Sequence, residues 1–74
     1  MTETAQALPG RLPAGERLLS LSQVLERVPR SYRTIYRWME EGHFPRNYQI
    51  GPNSVAWRES EITKWMAQKV ASAA

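Results

Sequence analysis

Residues 31 to 37 bring two tyrosines, two arginines and two hydroxyl side chains together in the order SYRTIYR. Arg33 and Arg37 are four residues apart, so on a helix they project from one face, one turn apart. A guanidinium group donates a bidentate pair of hydrogen bonds to the edge of a guanine, or pairs with a phosphate. We expect Arg33 to make such a contact. Arg37 has an equal alternative, a surface ion pair with Glu41 at i+4.

The other polar residues of this stretch suit the same kind of ligand. Ser31 and Thr34 lie at the predicted start of a helix, where backbone N–H groups and the helix dipole favour an anion. Ser31 is at the same time the predicted N-cap. Tyr32 can hydrogen-bond a phosphate or a base edge, whereas Tyr36 borders the apolar side of the helix and either packs there or makes contact.

The composition excludes most enzyme chemistry. The 74 residues include no Cys, no Asp and a single His, His43. Without Cys the chain can form neither disulfides nor thiolate metal sites, and without Asp it cannot form a Ser-His-Asp triad. We interpret His43 as a loop residue. We expect no enzymatic activity, no cofactor, no metal and no small-molecule substrate. The net charge of +3 and the pI near 9.8 favour a polyanionic partner such as double-stranded DNA.

Two predicted helices flank a tight turn. In the first, SQVLERV, Ser20 and Ser22 both offer an N-cap oxygen. Ser20 and Gln23 have the spacing of a capping box, and Pro29 ends the helix. The second helix runs from Tyr32 to Glu41, and Gly42 supplies the left-handed residue that follows it. Its apolar stripe, opposite the arginines, comprises Ile35, Trp38 and Met39.

A hairpin and a third helix complete the predicted domain. Apolar and polar residues alternate on both sides of Gly51-Pro52-Asn53-Ser54, which is typical of a two-stranded wing. Arg46 and Arg58 at its base, and Asn53 and Ser54 at its tip, can reach the DNA backbone or the minor groove, although ordinary turn and surface roles are an alternative. The helix ESEITKWMAQKV follows, with an apolar side of Ile62, Trp65, Met66 and Val70.

This order of elements predicts a mainly α fold with a small β-hairpin, a winged helix-turn-helix that presents its second helix to the major groove. Residues 1–16 contain Pro and Gly without an apolar period, which predicts a flexible arm. The predicted domain covers residues 17–70, and residues 71–74 are predicted to fray. The tryptophans lie on apolar stripes, which favours a core role over base stacking.

The segments LLSLSQVLERV, SYRTIYRWMEEGHFP and IGPNSVAWRESEITKW resemble the AlpA-like regulators and small excisionases of prophages and integrative elements, relatives of the MerR-type winged domains. The resemblance covers Arg17 to Val70. These segments contain the residues with which the family's recognition helix starts, the Gly-x-Phe-Pro motif that follows this helix, and the Trp that ends the wing. One departure is the turn, where Pro29 and Arg30 replace a glycine and an apolar residue; either the helices pack more loosely or Arg30 faces phosphate.

The resemblance implies a DNA-binding accessory factor of the excisionase (recombination directionality factor) type. Such a protein binds near an attachment site, bends DNA and promotes excision by a site-specific integrase, with adjacent copies side by side. The alternatives are a transcriptional regulator of a prophage or mobile element, and a protein-binding adaptor or antirepressor that uses the face of Tyr32, Arg33 and Tyr36. We find no apolar run that could span a membrane and expect a cytoplasmic, nucleoid-associated protein.

Overall fold

Three helices pack against one small sheet. The computed structural model of the protein describes residues 6–8 and 10–73. The helices and the sheet confirm the predicted fold class, because they are compatible with a winged helix-turn-helix. In chain order the elements are β1 (Gln6–Ala7), β2 (Leu18–Leu19), α1 (Leu21–Arg27), α2 (Tyr32–Glu40), β3 (Tyr48–Gly51), β4 (Ser54–Arg58) and α3 (Glu59–Ala73).

The first helix was predicted over residues 22–28 and runs one residue earlier at each end, with the predicted capping box in place. Ser20 Oγ accepts a hydrogen bond from Gln23 N–H at 3.2 Å, and Gln23 Oε1 accepts one from Ser20 N–H at 2.8 Å, which makes a complete capping box. At the other end Val28 is extended, with φ −119° and ψ 109°. The proline that follows disfavours the helical conformation for Val28, so α1 ends at Arg27.

The second helix is joined to α1 by a short turn and buries the predicted stripe. Ile35 is fully buried and Met39 nearly so, while Trp38 packs against the edge of the core. Gly42 follows the helix with φ +79°. This left-handed conformation costs glycine little free energy, because glycine has no Cβ. Arg30 in the turn is exposed, whereas Val28, just before Pro29, is buried in the core.

The hairpin is confirmed, and two further strands extend it. Gly51 and Ser54 are paired across the turn, and Asn53 has φ +56°, which Asn tolerates better than most residues. β2 pairs antiparallel with β4, and β1 pairs parallel with β3, so the strand order is β1-β3-β4-β2. Two-residue strands carry no alternating pattern, which is why the sequence did not predict them.

The core lies between the sheet and the three helices. Trp57 is fully buried, in agreement with its predicted core role, and Trp38 and Trp65 pack at the margin of the cluster. The buried cluster consists of Leu19, Val24, Val28, Ile35, Met39, Phe44, Trp57 and Ile62.

The C-terminal half of α3 departs from prediction. Val70, expected on the apolar side, is 72% exposed because the helix extends beyond the part of the core that could cover it. The helix also continues to Ala73, past the predicted end at Val70. Alanine is the residue that favours helix most, so residues 71–73 extend the helix instead of fraying; residue 74 lies outside the described residues.

Part of the predicted flexible arm is attached to the domain. The Gln6 backbone N–H donates to the Asn47 carbonyl at 3.0 Å, and Gln6 Nε2 donates to the Arg46 carbonyl at 3.1 Å. Glu16, predicted as the last arm residue, makes several bonds to α3. These bonds join residues about forty positions apart, which local composition cannot report. Of the arm, residues 1–5 and 9 lie outside the described residues.

Candidate nucleic-acid interface

The N-terminus of α2 is a capped helix end with no acidic residue in its first turn. Ser31 Oγ accepts a hydrogen bond from Thr34 N–H at 3.3 Å and lies 3.3 Å from Thr34 Oγ1. The predicted N-cap is therefore confirmed. Other N–H groups of the first turn have no partner within the helix, and the positive end of the helix dipole is not offset by a carboxylate. This end of α2 is electrostatically suited to a phosphate.

The outer face of α2 carries its cations away from the core. Tyr32 is 51% exposed, and Arg33 and Arg37 are exposed, whereas Ile35 on the opposite side is fully buried. Among residues 6–8 and 10–73, no ion pair includes Arg33 or Arg37. The predicted alternative for Arg37, a salt bridge to Glu41, does not form there. Both guanidinium groups are thus available to an external anion.

Tyr36 lies on one flank of α2, between the outer face and the core. Its ring meets Trp57 edge-on, with centroids 6.2 Å apart, and its hydroxyl accepts a hydrogen bond from Asn47 Nδ2 at 3.4 Å. Tyr36 therefore has a packing role. Asn47 itself is fully buried, and its Oδ1 has no protein partner among the described residues. No local pattern indicated this asparagine.

The wing presents its predicted residues at two different places. Asn53 and Ser54 are exposed at the tip, where Ser54 Oγ donates to the Pro52 carbonyl at 3.2 Å. Arg46 is partly buried just before β3, at the base of the wing. The wing tip and the outer face of α2 are both exposed and polar.

Arg58 differs from the other predicted contacts because it is held by carboxylates. Its Nε lies 2.8 Å from Glu16 Oε2 and its Nη1 lies 3.8 Å from Glu61 Oε2, with only 20% of the side chain exposed. It lies at the end of β4 opposite the wing tip, paired with Leu18 in the sheet. The bond to Glu16 is the largest cause that raises the Arg58 pKa, followed by the bond to Tyr48. The geometry gives Arg58 a structural role.

Glu16 is the residue whose role the sequence did not reveal. Its Oε2 accepts from Ser60 Oγ at 2.6 Å, and its Oε1 accepts from the Ser60 N–H at 3.2 Å and the Arg17 N–H at 3.2 Å. The Ser60 hydroxyl is the main cause that lowers the Glu16 pKa to about 2. Burial acts in the opposite direction, and the Ser60 N–H, Arg58 and the Arg17 N–H lower the pKa further. Glu16 thereby fastens the segment before β2 to the start of α3.

Residues 17–70 match the model of the family described as Prophage CP4-57 regulatory protein (AlpA). The chain belongs to the AlpA family. The match covers the region for which the sequence predicted the resemblance, so that prediction is confirmed. In this AlpA-family protein, the helix with the exposed arginines and the wing both lie within the matched residues.

Two relatives have related sequences. A protein of Enterobacteria phage P4 with the name Uncharacterized protein ORF88 is 39% identical over 56 residues, which are 76% of this chain and 64% of that protein. The DNA-binding transcriptional activator AlpA of Escherichia coli (strain K12) is 32% identical over 59 residues, which are 72% of this chain and 84% of that protein. This AlpA-family chain thus spans less than two thirds of the phage P4 relative.

Two further observations concern other kinds of site. Within the part of the chain that the structure describes, no three His, Cys, Asp or Glu side chains come together as metal ligands would. None of the helices among the described residues has the length and apolar character needed to cross a bilayer.

Proposed function

We propose that this protein binds double-stranded DNA sequence-specifically as a regulator of a prophage or other mobile element, with α2 in the major groove. The observation that carries the proposal is the outer face of α2. There Arg33 and Arg37 stand one turn apart, exposed, and make no ion pair with a described residue. Membership of a family of prophage regulatory proteins supports the same role, which is one of binding rather than catalysis.

Individual residues receive different parts in this proposal. Arg33 reads a base edge, and Arg37 contacts a base or the phosphate backbone. Ser31, Thr34 and the first N–H groups of α2 hold a phosphate, which Tyr32 can also contact. The remaining predicted contacts, Arg30 in the turn, Arg46 at the wing base and Asn53 and Ser54 at the wing tip, contact the flanking backbone or minor groove. Tyr36 supports α2 by packing on Trp57.

The more specific role that we propose is that of an excisionase-like accessory factor. Bending a short DNA site costs about 1–6 kcal/mol, and a domain of this size offers a small interface. Several adjacent copies are therefore needed to hold a bend, and contacts between them add avidity. In this role the bent DNA would favour excision by a site-specific integrase, and the protein would act at the nucleoid in the cytoplasm.

A second role, transcriptional regulation, is favoured by one particular observation. The Escherichia coli relative, which is 32% identical, has the name DNA-binding transcriptional activator AlpA. The same groove-reading surface serves both roles, so one protein can perform both. The positions of the binding sites distinguish them, because excision requires sites beside an attachment site and transcriptional control requires sites beside a promoter.

The deciding experiment is a mobility-shift assay with the purified protein and DNA fragments tiled across its genomic neighbourhood. At low salt we expect a ladder of discrete complexes on a few fragments. The apparent affinity should fall steeply at higher salt, because phosphate contacts release counterions. Sites beside an attachment site would favour the excision role, and sites at a promoter the transcriptional one.

The same assay tests the adaptor alternative. An aromatic protein-binding face responds weakly to salt and needs no DNA. If no fragment shifts at low salt and high protein concentration, the DNA-binding proposal is wrong, and the face of Tyr32, Arg33 and Tyr36 meets a protein instead. The variant Arg33→Ala, once circular dichroism shows that it is folded, should bind the same fragments more weakly than wild type, which would link the complexes to the outer face of α2.

A further inference from the structure

An aromatic cleft lies between the end of α2 and α3. Trp38 and Trp65 face each other with ring centroids 6.0 Å apart at an angle of 39°, and Phe44 meets Trp65 edge-on at 4.8 Å. Both indoles are only partly buried, unlike Trp57 in the core. A cavity of about 360 Å³ opens onto them, lined by Trp38, His43, Trp65 and Lys69. We call this cavity the indole cleft.

The indole cleft lies at the C-terminal end of α2, the end opposite Ser31 and Thr34. Trp38 and Arg33 are five positions apart, which places them about 140° apart around the helix axis. Tyr36 borders the wing through Trp57 and Asn47, whereas Trp38 borders α3 through Trp65. A ligand in the cleft would therefore contact α3 and the loop after α2.

A second cavity continues the cleft along α3. It measures about 560 Å³ and shares His43, Trp65 and Lys69 with the first, while Lys64 and Gln68 of α3 also line it. The two cavities form one open groove with aromatic walls at one end and polar side chains along the other. The groove is too open to enclose a small molecule.

The groove is positively charged. Lys64 and Lys69 are exposed, and no described residue forms an ion pair with either; Lys69 Nζ lies 5.6 Å from the Trp65 ring centroid. Glu61 also lines the groove, but its carboxylate accepts the Tyr48 hydroxyl at 2.8 Å and lies 3.8 Å from Arg58. The Glu61 charge is thus already engaged. Arg46 lines the groove as well, so the two lysines and Arg46 together make the surface positive.

We propose that this groove binds an acidic peptide segment of a partner protein. An aromatic or aliphatic side chain of the segment enters the indole cleft, where partly exposed rings gain most from being covered. Acidic side chains on either side pair with Lys64 and Lys69. The occupant is complementary to the groove in both charge and apolarity, and its binding does not require DNA. The proposal thus stands independently of the DNA-binding role.

Indole N–H resonances provide a direct test in the full chain. The protein has three tryptophans, and Trp57, whose indole donates to the Pro45 carbonyl from inside the core, is the internal reference. The probe is an unlabelled synthetic peptide of about twelve residues, rich in Glu with one central Phe. We expect the signals of Trp38 and Trp65 to shift on titration and that of Trp57 to stay. Matched peptides with Phe→Ala, or with every Glu→Gln, should bind at least several-fold more weakly.

Charge variants complete the test. The double variant Lys64→Glu and Lys69→Glu changes two exposed residues, so it should fold, and its affinity for the acidic peptide should fall by about tenfold or more. Arg11→Glu with Arg17→Glu, also at exposed positions, is the charge-matched control and should keep most of the affinity. DNA affinity should fall no further in the lysine variant than in this control.

Three results would overturn the proposal. The first is no shift of Trp38 or Trp65 at millimolar peptide, with the three indole signals intact. The second is a shift of these two signals with a DNA duplex instead of the peptide, which would make the groove a DNA contact. The third is a shift with protein concentration alone, which would make it a contact between copies. None of these measurements depends on the outcome of the mobility-shift assay.

Discussion

At the scale of single residues, the surroundings decide what an arginine does. Arg33 and Arg58 have the same side chain, and the sequence assigned both to DNA. Arg33 lies exposed on the outer face of α2, whereas Arg58 is held between Glu16 and Glu61. A guanidinium with two carboxylate partners has little left to offer a phosphate. The proposed interface therefore rests on Arg33 and Arg37.

Arg33→Ala should reduce specific DNA affinity by about 1–3 kcal/mol and relax the preference for the target sequence. Titration of labelled target and scrambled duplexes by fluorescence anisotropy measures both effects. Arg11→Ala, at another exposed position, controls for the loss of one charge and should change affinity little. Equal weakening on both duplexes would contradict base recognition and make Arg33 a phosphate contact.

Glu16 should make the stability of the fold depend on pH. Its pKa is about 2 in the folded protein, below the ordinary 4.5, so its carboxylate stabilises the fold above that ordinary value. The contribution should disappear as the pH falls from about 4.5 toward 2. Glu16→Gln should thus unfold at lower urea concentration than wild type at neutral pH, and the difference should shrink in acid.

Glu26→Gln, an exposed position on α1, is the matched control for this measurement. Urea unfolding followed by circular dichroism at several pH values gives both curves. A difference between wild type and Glu16→Gln that stays constant down to the lowest pH would show that the ion pair with Arg58 and the bonds to Ser60 do not stabilise the folded state.

At the scale of elements, local chemistry fixes where α2 begins and which side it presents. Ser31 ends the extended segment and caps the helix, and the buried stripe of Ile35 and Met39 turns the arginines outward. Both facts follow from residue types a few positions apart. They explain why the sequence predicted α2 and its outer face well.

Ser31→Asp separates the capping role from the proposed phosphate contact. Aspartate caps a helix about as well as serine, and its charge suits the helix dipole, so stability should be kept. DNA affinity should nevertheless fall, because the carboxylate would repel a phosphate at this end. Ser31→Ala should instead lower the free energy of unfolding by about 1 kcal/mol. Urea unfolding and anisotropy measure the two effects. If Ser31→Asp binds DNA as tightly as wild type, the proposed phosphate contact at the start of α2 is wrong.

At the scale of the whole molecule, long-range contacts decide how the N-terminal segment is used. β1 covers the outer edge of β3, and Glu16 fastens the following segment to α3. We propose that residues before this attachment contact a neighbouring copy on DNA. The attachment also dictates the experiment, because removing residues 1–16 would take Glu16 away together with the proposed contact.

Deletion of residues 1–8 should leave the fold and single-site affinity nearly unchanged, since the described residues of that segment contribute nothing to the buried core cluster. Cooperative binding should weaken, so that the mobility-shift ladder loses its multi-copy complexes. Glu16→Gln in the full-length chain is the companion variant, and it should lower stability while keeping the ladder. If the deletion leaves the ladder unchanged, the proposal that the N-terminal residues contact a neighbouring copy is wrong.

Features that depend on near neighbours could be predicted from the amino-acid sequence. The capping box of α1, the extended residue before Pro29, the left-handed Gly42 and the turn at Asn53 follow from interactions within a few positions. Hydrophobic periodicity added the buried face of α2, and the order of motifs added the family. All of these features arise from interactions between residues close together in the chain, so predicting them does not require knowledge of the rest of the fold.

Features that depend on residues far apart in the chain could not be predicted in this way. Glu16 and Arg58 are 42 positions apart, and β1 and β2 are strands only because β3 and β4 offer them an edge. Apolar spacing likewise could not show which tryptophan is covered. Trp57 faces the centre of the core, whereas Trp38 and Trp65 lie at its margin and line the indole cleft. Packing assigned these roles, because burial depends on which elements meet.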